Sequence, residues 1–158
     1  MISGPHDLGV VLVHLALGAV ALLLVAIDVR EHRLPNRIVL PTLAALVLLV
    51  GVEWGVTGEA TRAIRALLGM ALLCAFYLAM RAASRNGVGG GDVKLSAVLG
   101  LVLGWHGWGA FAIGAASAFL LGATHALVLM AAKRADRTTR IAFGPWMIAG
   151  AALGIAVG

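Results

Sequence analysis

Residues 8–27 read Leu-Gly-Val-Val-Leu-Val-His-Leu-Ala-Leu-Gly-Ala-Val-Ala-Leu-Leu-Leu-Val-Ala-Ile, and the next residue is Asp28. The run contains no Asp, Glu, Lys or Arg and a single histidine, His14. Its twenty residues, if helical, rise about 30 Å, the thickness of a bilayer's hydrocarbon core. Lipid offers no partner for backbone N–H and C=O groups, so such a run crosses as a helix. No basic segment precedes it and no clear small-residue cleavage site ends it. It therefore reads as a retained first span, not a cleaved signal peptide.

Five more apolar segments follow, at residues 38–52, 63–80, 93–104, 107–132 and 142–157. The fourth is short, which implies tilt or an extension into the stretch 104–108. The expected fold is all-α: a polytopic membrane protein of about six transmembrane helices, forming one membrane-embedded domain over residues 1–158. Composition agrees. With 61% hydrophobic and 12% charged residues and a mean hydropathy of +1.01, the chain has too few polar side chains to cover itself in water. The lipid bilayer is its first partner. A pI near 10.7 would suit nucleic acid, but the basic residues sit in short loops between apolar runs, where they report orientation instead. Cys74 is the one cysteine, so no internal disulfide and no cysteine-based zinc site can form.

Arg30, Arg33, Arg37, Arg81, Arg85, Lys94, Lys133, Arg134, Arg137 and Arg140 fall on one side of this topology, and only Arg62 and Arg65 on the other. The positive-inside rule makes the basic side cytoplasmic and puts both termini outside. Small residues at four-residue spacing, Gly100 with Gly104 and Gly114 with Ala118, mark places where helices can approach closely.

Ionisable groups at span ends are the positions that can carry chemistry. Asp28 ends the first span in Ile27-Asp28-Val29-Arg30-Glu31-His32-Arg33-Leu34-Pro35-Asn36, and Asp92 opens the fourth in Asn86-Gly87-Val88-Gly89-Gly90-Gly91-Asp92-Val93-Lys94-Leu95. Both lie on the basic side. Two carboxylates sharing a site do not both ionise readily, so one can hold a proton while the other activates water. Taken singly, Asp92 reads as a helix N-cap and Asp28 as an interfacial charge. Gly89, Gly90 and Gly91 tolerate positive φ and leave room for a substrate backbone.

Gly89-Gly90-Gly91-Asp92 fits the GxGD pattern of intramembrane aspartyl proteases. The longer run to Leu95, with Leu99-Gly100 and Gly104-Trp105, resembles the type IV prepilin peptidase family, as do the stretch 28–36 and Phe143-Gly144-Pro145. The resemblance covers essentially the whole chain. It implies a six-helix core with Asp28 and Asp92 as the catalytic pair, and cleavage of prepilin or pseudopilin precursors before their hydrophobic segment at the cytoplasmic face of the inner membrane. Site-shaping roles are implied for Gly89, Gly90, Gly91, Lys94, Pro35, Asn36, Gly144 and Pro145. Many bacterial relatives begin with paired CxxC motifs associated with N-methylation. This chain opens on its first span and has only Cys74, so the expectation is peptidase activity without methyltransferase activity. Position 36 is Asn where many relatives carry Asp.

Lys94 has two readings, a partner of Asp92 or substrate and a snorkelling interfacial lysine. Pro35 and Asn36 shape the loop and start the second span. His14 and His125 are not spaced as a metal pair, and neither metal nor cofactor is expected. Trp54, Trp105, Trp108 and Trp146 read as interfacial anchors. The oligomeric state is not legible. Two alternatives to the prepilin peptidase stand: a non-enzymatic membrane component such as a pilus-assembly scaffold or small transporter, with aspartates that cap helices or bind a cation, and a related protease acting on preflagellin-like or other signal peptides.

Overall fold

The computed structural model describes residues 5–31, 33–84, 88–133 and 142–158. His32, Arg85, Asn86, Gly87, Arg134, Arg137 and Arg140 lie outside the described residues. Six helices are present: α1 Pro5–Glu31, α2 Asn36–Thr57, α3 Ala60–Ala83, α4 Gly90–His106, α5 Trp108–Ala131 and α6 Gly144–Val157. No strand occurs among the described residues. The protein is an all-α, multi-pass membrane fold. Most helices run beyond the apolar segments that predicted them, because helical hydrogen bonding continues until a cap intervenes. Asp28 consequently lies inside the last turn of α1 and not after it.

Four helices, α1 from Gly9, α2, α3 and α5, are long and apolar enough to cross a membrane. The outliers are α4, with 17 residues, and α6, with 14. Seventeen helical residues rise only about 25 Å, short of a hydrocarbon core of about 30 Å. Position explains how α4 is accommodated. It is the central helix, packed against α2, α3, α5 and α6, and Leu95, Ser96, Ala97, Val98, Gly100, Leu101, Leu103 and Gly104 are all buried. Neighbouring protein, not lipid, surrounds much of its surface, so its length need not match the bilayer. By contrast α1 is a peripheral helix, with Leu12, Leu15 and Leu22 exposed to the surroundings. These side chains suit lipid contact.

Close approach of helices rests on missing side chains. A Cβ on Gly69 of α3 would strike the Gly100 carbonyl and stand 3.0 Å from the Gly104 Cα. On the other side of the molecule, a Cβ on Gly154 of α6 would lie 2.7 Å from the Gly114 Cα, and one on Gly150 would meet the backbone of Ala118. Both small-residue pairs of the sequence are therefore true contact sites, backbone against backbone. The α2–α3 hairpin turns at Gly58, whose φ of 72° is left-handed and whose N–H donates to the Trp54 carbonyl at 2.8 Å. A glycine suits that backbone. An Arg62–Glu53 ion pair of 3.0 Å spans the same turn. At the far end of α4, Arg65 donates to the carbonyls of Gly104 (2.7 Å) and Trp105 (2.8 Å), satisfying acceptors that the helix end leaves open.

Candidate active site

Three helix ends meet where the site forms: the last turn of α1 with Asp28, the first turn of α4 with Asp92, and the N-terminus of α6 at Gly144. Asp28 is buried, at 5% exposure. A carboxylate removed from water needs hydrogen-bond donors. The Gly144 N–H supplies one, donating to Asp28 Oδ2 at 3.1 Å, and the α6 N-terminus adds its positive dipole end. A Cβ on Gly144 would sit 2.6 Å from that oxygen, so the contact requires glycine. Pro145 follows in the first turn of α6, where its missing N–H costs no helical bond. The α6 entrance is anchored by Phe143, whose ring packs against Phe119 at 5.6 Å and Tyr77 at 6.3 Å, and presses on Gly122.

Asp92 is not the N-cap of α4. Gly89 holds that position, and Asp92 stands at the third helical residue. Its Oδ2 accepts the Gly89 N–H at 3.2 Å, which satisfies one orphan donor of the helix start. Gly89 has an extended φ of −64°, Gly90 and Gly91 are in the helix, and none of them is among the positive-φ glycines. Their tolerance of positive φ is not used, because α4 begins earlier than its apolar run. Space is what these glycines provide. A Cβ on Gly91 would stand 2.9 Å from the Leu34 Cβ, and one on Gly89 would stand 3.0 Å from Asp92 Oδ2.

Asp92 precedes the apolar run 93–104. Its carboxyl is pushed up to about 6 from 3.8, by burial first and by the negative charge of Asp28 second, while the Gly89 N–H pulls the other way. The two carboxylates are thus within electrostatic reach of each other, as a coupled pair requires. Such a pair can hold one proton and offer one base near neutral pH.

The remaining predicted residues brace this pair. Leu34, buried against Gly91, ties the α1–α2 connection to α4. Pro35 is the N-cap of α2, and Asn36 is its first residue. The Asn36 Oδ1 accepts a hydrogen bond from Lys94 Nζ at 2.7 Å, so Lys94 links the starts of α2 and α4. Arg81 of α3 donates to the Val88 carbonyl at 2.7 Å and holds the segment before the glycines. Tyr77 is buried in α3 beside Phe143. Neither Arg81 nor Tyr77 was read from sequence as a site residue, since a basic helix end and an aromatic in an apolar run have no distinguishing pattern. His14 contacts His106 at the opposite end of α4, and His125 packs on Trp146, in the first turn of α6, at 4.8 Å. Trp54 and Trp108 are exposed, as anchors are, whereas Trp105 is tied inward through Nε1 to Glu53 at 2.6 Å.

Residues 15–155, which carry every element of this arrangement, match the type IV leader peptidase family. The chain belongs to that family. It is similar to the prepilin leader peptidase/N-methyltransferase of Dickeya chrysanthemi, 34% identical over 84% of this chain and 46% of that protein. The Escherichia coli (strain K12) protein of the same name is 32% identical over 85% of this chain and 58% of its own length. For that of Bacillus subtilis (strain 168) the values are 34%, 84% and 50%. The chain thus spans about half the length of the curated relatives it matches. No solved structure matches it.

Proposed function

We propose that this chain is an aspartyl endopeptidase that removes the leader peptide of type IV prepilin-like or pseudopilin precursors at the cytoplasmic face of the inner membrane. Residues 1–158 act as one peptidase domain, with both termini outside. The observation that carries this reading is the Asp28 carboxylate, buried on the Gly144 N–H and within electrostatic reach of Asp92. Membership of the leader peptidase family supports the substrate class.

The environments divide the roles. Asp92, with its raised pKa, keeps the shared proton and polarises the scissile carbonyl. Asp28, held by a backbone donor, serves as the base. It removes a proton from a water between the carboxyls, and the resulting hydroxide attacks the carbonyl carbon. The tetrahedral intermediate collapses as a proton passes to the departing amine, the C–N bond breaks, and the pair regains its single proton. No covalent enzyme intermediate forms and no cofactor takes part. Gly144 and Gly89 let the two carboxylates lie close against the backbone, and Gly91 lets Leu34 pack on the start of α4.

The test is cleavage of a prepilin by the purified protein in lipid, with Asp28→Asn and Asp92→Asn assayed separately. Each variant is expected to lose about 10³-fold or more in kcat/KM, the scale of general acid–base catalysis. Undiminished cleavage by either removes that residue from the mechanism. A protein that binds pilin without ever shortening it would instead be an assembly component, and sequencing the new amino terminus would reveal a substrate of another class.

A further inference from the structure

His14 lies in α1, and His106 is the last residue of α4, at the opposite end of that helix from Asp92. Their Nε2 atoms are 3.0 Å apart. Each ring also contacts a carbonyl of its own helix through Nδ1, His14 to Val10 at 2.7 Å and His106 to Val102 at 2.8 Å. A carbonyl oxygen only accepts, so each Nδ1 bears a hydrogen. A neutral imidazole has one N–H, so with both rings neutral two Nε2 lone pairs would face each other. The contact needs a cation between them.

We propose that His14 and His106 form a proton-binding site, in which a single proton held between the two Nε2 atoms latches α1 to the end of α4.

Geometry selects the proton over a metal ion. The ring centroids are 5.1 Å apart while the Nε2 atoms are 3.0 Å apart, so the rings meet tip to tip. A hydrogen bond needs that collinear arrangement, and the separation falls in its ordinary range of about 2.7–3.2 Å. A tetrahedral metal bound at about 2.0–2.1 Å would stand off the N–N line and splay the rings. Among the described residues no third His, Cys, Asp or Glu completes a metal-binding group.

The surroundings resist positive charge, so the hydrogen bond between the rings must offset the cost of holding even a single proton. The pair borders a mainly apolar cavity of about 350 Å³ between α1, α2 and α4. Glu53 of α2 lines the same cavity, bonded to Trp105 Nε1 at 2.6 Å and to Arg62 at 3.0 Å. Arg62 and Arg65 of α3 approach from the far side, Arg62 over the Trp105 ring and Arg65 on the α4 end carbonyls. Neither α5 nor α6 contains an Asp, Glu, Lys or Arg, and His125 of α5 packs on Trp146 instead. His106 follows the apolar run. Burial first, then the charges of His14 and Arg65, hold it below the ordinary imidazole value against the pull of the Val102 carbonyl. A second proton is therefore disfavoured. Without a proton the contact has facing lone pairs, with one proton it is latched, and with two it repels. The latch is strongest in an intermediate pH window and weakens on both sides.

The test uses the full chain in lipid nanodiscs, ¹⁵N-labelled at histidine, from about pH 4 to about pH 9, a range spanning imidazole titration. Spin labels on the ends of α1 and α4 beside the pair report their separation. The expected result is a strongly deshielded shared proton at intermediate pH, with a closed α1–α4 population that falls at least about tenfold on each limb, the scale of a charged hydrogen bond. In His106→Gln the amide donates to neutral His14 and accepts from protonated His14, so the contact stays closed and both limbs flatten. His14→Phe with His106→Phe removes both limbs. The proposal is overturned if wild type and the two variants share one pH profile, or if no shared proton resonance appears at any pH. Micromolar Zn²⁺ that shifts both Nε2 resonances and tightens the contact would overturn it in favour of a metal site.

Discussion

Asp28 and Asp92 carry the same functional group in different surroundings, and those surroundings underlie the different roles proposed for them. Asp28 is buried on a backbone N–H, whereas Asp92 is half-buried at a helix start with a carboxyl pushed up to about 6. A raised folded-state value means that the folded protein binds the proton more tightly than the unfolded chain. This contribution to stability is present below the ordinary value and is lost as pH rises through about 6, leaving the ionised form under strain. Asp92→Asn removes the charge and keeps an acceptor for the Gly89 N–H. Its melting temperature should exceed wild type by a few degrees at about pH 7–8, with the gap closing below about pH 4, even as cleavage is lost. Thermal unfolding at several pH values checks this, and an equal gap at every pH would refute it. Gly144→Ala would place a methyl 2.6 Å from Asp28 Oδ2. Displacing that carboxylate should lower kcat/KM by about 10–100-fold while circular dichroism remains that of the wild type. Both aspartates were legible in the sequence because a charge at the end of an apolar run stands out. The Gly144 contact was legible only as resemblance, since Asp28 and Gly144 are 116 positions apart and no local pattern links them.

Elements differ in how much of themselves the sequence discloses. The helices α1, α2, α3 and α5 follow from hydropathy alone, since each is long and apolar enough to cross a bilayer. Hydropathy presents α4 as merely short, and only packing shows it to be the central helix. Its place rests on Gly69, Gly100 and Gly104, where α3 and α4 backbones touch. Gly69→Val inserts three carbons where one already collides with the Gly100 carbonyl. It should cost about 1–3 kcal/mol, the usual scale of overpacking, measured by unfolding in mixed detergent micelles. Gly51→Val, where a Cβ would meet nothing within 4 Å, serves as the neutral control. Equal effects of the two would contradict the close α3–α4 approach. The first turn of α4 also departs from the sequence reading for an element-level reason. The helix starts at Gly90, so Asp92 becomes its third residue and not its cap.

For the whole molecule, orientation follows from charge. Arg33, Arg37, Arg81 and Lys94 lie at the end of the bundle that holds Asp28 and Asp92, and Arg62 and Arg65 lie at the other. The positive-inside rule supports the proposed cytoplasmic placement of the aspartate end. With Cys74 first replaced by alanine, Arg33→Cys should resist a membrane-impermeant thiol reagent in intact cells and react after permeabilisation. Glu59→Cys, in the α2–α3 turn, should react in both. The reverse pattern would invert the topology.

The sequence by itself determined the solvent and the helical class, because an apolar run must be helical in lipid, and it marked two carboxylates at span ends as candidates that the resemblance joined into a pair. Tertiary structure alone decided which helix lies at the centre, that Gly144 binds Asp28, that Lys94 reaches Asn36, and that His14 meets His106. These contacts join residues distant in the chain. They depend on how closely backbones approach, which glycine permits but local sequence does not specify.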